Sequence, residues 1–233
     1  MPRVGLIGGS GLYNMTGLEV IKKVKISTPF GDPSGEFIIG RLEGVECVFL
    51  PRHGYGHVHN PTEVNYRANI YGMKVLGVEF LIGVSAVGSL KDDIVPGEVV
   101  LVDQFIDRTH HRQHTFFENG CVGHVSMAHP VCEKLREYLY ESCEEACSSA
   151  KVKFHAHGTY VNMEGPAFST IAESCLYCSW DADVIGMTCL AEARLAREAE
   201  ISYAVLAMAT DYDSWHPNHD NVSVDAVVAV LKV

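Results

Sequence analysis

The chain has 233 residues, enough to bury one sizeable core without disulfides or a structural metal. At 47% hydrophobic and 20% charged it has ordinary globular composition, which excludes a mostly disordered polymer. With 18 Lys and Arg against 29 Asp and Glu, the net charge of −11 repels polyanions and sets aside DNA, RNA and anionic membranes as main partners.

Met1-Pro2-Arg3-Val4-Gly5 enters a strand-like run without a signal-peptide core, and no apolar run approaches the ~18 residues of a spanning helix, so a soluble cytoplasmic protein is expected. Val4-Gly5-Leu6-Ile7 reads as a short buried strand that runs into Gly8-Gly9-Ser10-Gly11. Alternating apolar residues predict strands over Val20–Ile26 and within Glu36–Leu50, punctuated by the turn signals Gly31-Asp32-Pro33 and Glu43-Gly44. A His- and Gly-rich loop, Arg52–Pro61, precedes a helix over Thr62–Leu76, where Tyr66, Ile70 and Met73 recur at helical steps. Phe80–Ser85 and Val99–Phe105 are apolar strands. Cys132–Cys147 predicts an amphipathic helix with Leu135, Leu139 and Cys143 on one face. His157–Val161 reads as a strand, Phe168–Trp180 and Leu190–Glu200 as helices, Ser202–Thr210 as a core strand, and Ser223–Val233 as the start of a further helix. This alternation predicts a single α/β domain over residues 1–233, a central mixed β-sheet flanked by helices.

The eight cysteines are irregularly spaced. Cys175-Leu176-Tyr177-Cys178 lies in a predicted helix with no second pair at zinc spacing. Free thiols acting as small hydrophobes are the plain reading; zinc and a redox pair are the alternatives.

Ligands of such sheets sit beyond the carboxyl ends of strands, and four segments there are chemically loaded. Gly8-Gly9-Ser10-Gly11 suits an anion through backbone N–H groups and a hydroxyl, but a plain tight turn fits as well. It has neither the dinucleotide-binding nor the P-loop spacing. Arg52-His53-Gly54 sets an always-charged guanidinium beside an imidazole at a strand end; phosphate or carboxylate binding and a solvated surface loop both remain open. Ser85-Ala86-Val87-Gly88-Ser89 offers small neutral donors after a strand. Thr210-Asp211-Tyr212-Asp213 ends a core strand with two carboxylates, costly if buried and otherwise a turn or cap. Together they suit a ligand with an anionic end and an amino-substituted heterocycle.

Seven motifs resemble the 5′-methylthioadenosine phosphorylases of the trimeric purine nucleoside phosphorylase family. They are Ile7-Gly8-Gly9-Ser10-Gly11-Leu12-Tyr13, Pro51-Arg52-His53-Gly54, Asn65-Tyr66-Arg67-Ala68-Asn69-Ile70, Gln104-Phe105-Ile106-Asp107-Arg108-Thr109, Glu164-Gly165-Pro166-Ala167-Phe168-Ser169-Thr170, Ile185-Gly186-Met187-Thr188 and Ala209-Thr210-Asp211-Tyr212-Asp213-Ser214-Trp215. The resemblance implies a cytoplasmic homotrimer that cleaves methylthioadenosine with phosphate to adenine and 5-methylthioribose 1-phosphate, in purine and methionine salvage. It implies phosphate on Ser10, Arg52, His53, Ser85, Ala86 and Thr188, the ribose against Met187, and the purine under Phe168 facing Ser169, Asp211 and Asp213. His124 of a neighbouring subunit, with Val224 and Val227, would line the 5′ pocket. For Met187, Phe168 and the valines, ordinary core packing is the alternative. No metal and no cofactor is implied; inorganic phosphate is the co-substrate.

In such a reaction Asp211 is expected to donate a proton to purine N7, its pKa raised by burial and by Asp213. An ionised Asp213 suits the N6 amino group of adenine and repels the O6 of a 6-oxopurine, a mismatch costing about 1–3 kcal/mol when buried. A broader purine nucleoside phosphorylase acting on adenosine or inosine is the nearest alternative, and a non-catalytic nucleoside-binding protein a more remote one. A nicotinamide-dependent oxidoreductase lacks its glycine spacing here. Three features depart from the family pattern. Ile171 replaces a usual Arg and leaves the geometry of its loop open, His110-His111 is unusual and reads as surface, and relatives continue past the residue equivalent to Val233 into a tail that caps a neighbouring site.

Overall fold

The opening strand β1 (Arg3–Gly8) lies inside the sheet, with β4 (Val45–Pro51) and β5 (Val78–Ser89) running parallel to it on either edge. Interior strands whose two faces are both covered read as continuous apolar runs, not as alternating ones. The computed structural model describes residues 3–9, 17–219, 222, 227 and 230. β2 (Glu19–Val24) pairs antiparallel with β3 (Phe37–Leu42), and its exposed Lys22 and Lys23 suit the margin of a sheet. β3 returns as β4 through the two residues Glu43 and Gly44, both at positive φ (46° and 79°). That is the backbone a two-residue hairpin demands.

Among the described residues the sheet has eleven strands in the order β2-β3-β4-β1-β5-β10-β9-β7, where β10 is Val184–Gly186, β9 Thr159–Met163 and β7 Gln104–Arg108. A branch leaves β5: β11 (Ser202–Asp211) pairs with it in parallel, then β6 (Val99–Val102) and β8 (Phe154–His155) follow. Four helices flank the sheet among the described residues: α1 (Tyr66–Val75), α2 (Glu133–Ala150), α3 (Ile171–Ser179) and α4 (Cys189–Glu198). α1 and α4 pack on each other and against β5, while α2 covers β6, β8 and β11. Ile7, Leu50, Ile70, Met73, Leu81 and Leu195 are fully buried in the shared core, each contributing about 1.5–3 kcal/mol of burial. Gly72 permits this packing, since a Cβ there would sit 2.2 Å from the Phe37 ring.

The mixed α/β architecture expected from the sequence is the one observed. Its elements differ in informative places. α1 begins at Tyr66 instead of Thr62, because Asn60 Oδ1 accepts the Thr62 and Glu63 N–H groups in a turn and Asn65 caps the helix through Ala68 N (3.0 Å). α3 begins at Ile171 instead of Phe168, where Thr170 and Glu173 form a reciprocal capping box. The predicted strand Val99–Phe105 breaks at Asp103, which bonds to Gly158, so that β6 joins β11 and β7 joins β9. Ser85–Ser89 is not a loop beyond a strand but the second half of β5, held by Ala207–Asp211 of β11 and by Val184 and Ile185 of β10. The helix predicted from Ser223 falls largely outside the described residues.

All eight cysteines are unpaired; Cys47 and Cys189 are buried, and Cys175 and Cys178 lie in α3. No helix among the described residues is long and apolar enough to cross a membrane.

Candidate active site

β5 organises the site by changing neighbours. β1 pairs with it as far as Val84 and β10 takes up pairing at Gly88, so along that edge Ser85, Ala86 and Val87 have no strand partner among the described residues. A cavity of about 760 Å³ opens there. Gly9 beyond β1, Arg52 and His53 beyond β4, Met187 and Thr188 beyond β10, and Thr210 and Asp211 at the end of β11 all line it. Its volume lies in the range of sites that enclose small molecules.

At the Val84 end Arg52 is buried and donates four hydrogen bonds within the chain: Nε to Glu192 Oε1 (2.5 Å), Nη2 to Glu192 Oε2 (3.0 Å) and Ile7 O (3.3 Å), and Nη1 to Val84 O (3.0 Å). Burial opposes its charge, but Glu192 more than offsets this and holds the guanidinium pKa well above its usual value. Tyr203 Oη donates to the same Glu192 Oε2 (2.6 Å). Burial, with the Arg52 charge and His57 adding to it, pushes the pKa of His53 down to about 3. Its Nδ1 is 2.9 Å from the His59 carbonyl, which can only accept, so Nδ1 carries the hydrogen and Nε2 is left as an acceptor. The ring stacks on His57 with centroids 4.2 Å apart. Ser85 Oγ, 3.3 Å from the fully buried Tyr160 Oη, and the buried Thr188 complete this end.

Three residues along β5, Gly88 faces the acidic pair. A Cβ there would lie 3.0 Å from Asp211 Oδ1 and 3.1 Å from Asp213 Cβ. Asp211 accepts from Thr210 Oγ1 (2.8 Å) and from the Asp213 backbone N–H (2.8 Å). Burial raises the Asp211 pKa against the pull of these two hydrogen bonds, and the Asp213 charge adds to the rise. Asp213, which lines the cavity, is buried at φ 49°, and its buried Oδ2 has no hydrogen-bond partner among the described residues. The turn itself is anchored. Trp215 Nε1 donates to Ser89 O (2.8 Å) and Ser214 Oγ to Ser169 O (2.8 Å).

The expected site residues therefore divide. Arg52, His53, Ser85, Ala86, Thr188, Met187, Phe168, Asp211, Asp213 and Val227 line one cavity. Ser169 is not among the lining residues; it is buried, its hydroxyl 3.6 Å from Met163 Sδ. His124 is exposed and outside this chain's cavity. Ser10 and Val224 lie outside the described residues.

Sequence reasoning missed Glu192, Tyr203 and a second cluster. Arg112, buried, donates to Glu164 Oε1 (3.0 Å) and Tyr66 Oη (2.5 Å), and also to Glu164 O. Glu164 further accepts from Thr62 Oγ1 (2.8 Å) and from the backbone N–H groups of His110 and His111. These bonds outweigh burial and pull the Glu164 pKa down to about 2. The His110-His111 pair is thus tied into the site by its backbone. The loop carrying Pro166 and Phe168 is braced from one side by Arg112 and from the other by the Thr170 cap, and Ile171 itself is exposed. In the sequence Glu192 stands among the small and apolar residues Cys189, Leu190, Ala191 and Ala193, the one signal that it faces inward.

The sequence pattern of the phosphorylase superfamily matches residues 3–232. The chain belongs to that superfamily. An S-methyl-5′-thioadenosine phosphorylase of Geobacter sulfurreducens is 59% identical over 230 residues, 98% of this chain and 79% of its own. The solved methylthioadenosine phosphorylase of Schistosoma mansoni in complex with adenine superimposes with a TM-score of 0.94 at 38% identity, covering 100% of this chain and 86% of the other. A variant of the adenosine/methylthioadenosine phosphorylase of the same organism, in complex with methylthioadenosine, gives 0.93 at 37% identity over 100% of this chain and 86% of that one. The resemblance drawn from the motifs extends to nearly the whole chain, and the superfamily fold is the one described above.

Proposed function

We propose that the protein is a pentosyltransferase that cleaves 5′-methylthioadenosine with inorganic phosphate, releasing adenine and 5-methylthioribose 1-phosphate. The observation that carries the reading is the spacing of two unlike groups on one strand. A donor-rich anion corner lies at Val84–Ser85 and a buried acid pair at Gly88, inside a single cavity. The similarity to relatives named for this substrate supports it.

Each end has a chemical task. Phosphate rests on Ser85, Thr188 and the unpartnered edge of β5, with Arg52 behind it. His53 Nε2 accepts a hydrogen that phosphate itself carries. Phosphate needs orientation more than activation, and its charge favours the oxocarbenium-like sugar. Asp211, whose pKa burial raises, shares a proton with purine N7 so that the base leaves neutral. The unpartnered Asp213 Oδ2 accepts from the N6 amino group, which favours adenine over 6-oxopurines. Phe168 covers the base, Met187 meets the ribose, and Val227 offers part of the apolar wall a methylthio group needs. The exposed His124 fits a role in a neighbour's pocket, and with it a cytoplasmic homotrimer.

Base release from methylthioadenosine, adenosine and inosine, with and without phosphate, tests the reading. Phosphate-dependent adenine release, fastest from methylthioadenosine, is expected. Faster release from inosine overturns the argument from the acid pair.

A further inference from the structure

An anion corner is expected to carry net positive charge, and this one does not. The charged side chains lining the cavity among the described residues are Arg52, Glu63, Asp211 and Asp213. The only cation among those four is locked to Glu192 by two hydrogen bonds in a fully buried pair, and Tyr203 Oη adds a third contact to the same carboxylate. Of the five guanidinium N–H groups, four are spent on described residues, leaving a single Nη1 hydrogen without a partner among them. Beside it His53 is neutral at physiological pH.

We propose that Glu192 is a positioning residue that fixes Arg52 and cancels its charge, so that phosphate is gripped by neutral donors and keeps its own negative charge for the sugar. The inference rests on phosphate occupying the cavity beside Arg52. A bare guanidinium would bind ground-state phosphate more tightly, neutralise the nucleophile and repel the cationic sugar of the transition state. Tighter binding of substrate alone does not raise kcat. A charge-cancelled guanidinium keeps its planar orientation and one directed donor, and no competing cation offsets the attraction between phosphate and the oxocarbenium ion. Glu192 touches neither substrate in this arrangement and acts through Arg52.

The test is a charge cycle in the full-length enzyme, read by steady-state kinetics and by the thermal shift that phosphate produces. Glu192→Gln should lower the phosphate KM by about ten-fold and lower kcat by about ten-fold or more, a split that a structural brace does not give. Its melting temperature without phosphate should fall, and phosphate should raise it by more than in the parent enzyme, because the ligand then supplies the missing counter-charge. Should that variant fold poorly even in phosphate, the pair Arg52→Gln and Arg52→Gln/Glu192→Gln decides. The single change leaves a buried carboxylate against phosphate and should raise the phosphate KM more than the double change does, by about ten-fold. A phosphate KM that rises in Glu192→Gln, or a double variant no better than the single one, overturns the assignment of Glu192 and leaves the phosphate site standing. A parent enzyme with no phosphate dependence overturns the site reading itself, and the role of Glu192 with it.

Discussion

Asp213 donates its backbone N–H to Asp211 Oδ1 at 2.8 Å, so the second acid of the pair orients the first. The bond requires the left-handed backbone of Asp213 at φ 49°, a conformation that Asp adopts more readily than most residues. It also separates the two carboxyl groups chemically. Asp211 has both oxygens engaged and a raised pKa, whereas Asp213 keeps one oxygen without a partner among the described residues.

Asp211→Asn should keep the fold and lose the proton. We expect kcat for adenine release to fall by about 100-fold or more, the usual scale for a general acid. The parent enzyme should lose activity as pH rises through the elevated Asp211 pKa, since the protonated form is the working one. The variant should lose that alkaline limb. A pH profile of kcat for both proteins is the measurement, and an unchanged limb removes Asp211 from the role.

Gly88→Ala inserts a methyl 3.0 Å from Asp211 Oδ1, 3.1 Å from Asp213 Cβ and 3.1 Å from Ile185 Cγ2. Each neighbour must yield by a few tenths of an ångström, and the carboxyl that must hold its aim is among them. Kinetics should suffer more than stability: about ten-fold or more in kcat against about 1–3 kcal/mol of unfolding free energy. Turnover and denaturant melts on one preparation compare the two.

His53 makes folding acid-sensitive. Its pKa drops from 6.5 to about 3 on folding, so between those values the unfolded chain binds a proton that the folded one refuses. Stability from this residue is complete above pH 6.5 and is lost as pH falls toward about 3. His53→Gln should flatten the pH dependence of unfolding free energy over that window by the equivalent of one proton. Urea melts at several pH values check it.

Arg112→Met should loosen the purine cover without touching the acid pair. It strips Glu164 of its main cationic partner and Tyr66 Oη of a donor, a buried loss costing about 3–5 kcal/mol. Because Glu164 anchors the loop that carries Pro166 and Phe168, the nucleoside KM should rise while the phosphate KM stays within about two-fold. A matching rise in the phosphate KM would show that the brace extends further than the loop.

The layout of the fold was legible because strand and helix periods differ and glycine turns punctuate them. The hairpin at Glu43-Gly44, the buried β1 and the acid pair ending β11 all follow from local pattern. Arg52, Ser85 and Asp211 were legible as polar residues at the ends of apolar runs. Partnerships across the chain were not. Glu192 lies 140 residues from Arg52, and Glu164 lies 52 from Arg112, so each appears in sequence as an isolated acid in an unrelated segment. The true length of β5 was hidden too: Ser, Ala and Gly at 85–89 look like a loop until β11 and β10 are there to pair with them.

Because β5 carries both chemical ends of the site, it acts as a ruler. From Ser85 to Gly88 the strand advances about 10 Å at ~3.3 Å per residue, and hydrogen bonds to β11 on one edge keep that length from flexing. On the proposed reading, the gap between nucleophile and departing base is therefore counted in residues. An insertion or deletion between these two positions would change it by a whole strand step and reverse which face each side chain meets, a defect no neighbouring substitution could mend. Other parts of the wall, among them Val58, Pro61, Val222 and Val227, lie off this strand. Evolution can reshape those walls to admit a different 5′ group while the gauge, and the reaction it times, stay as they are.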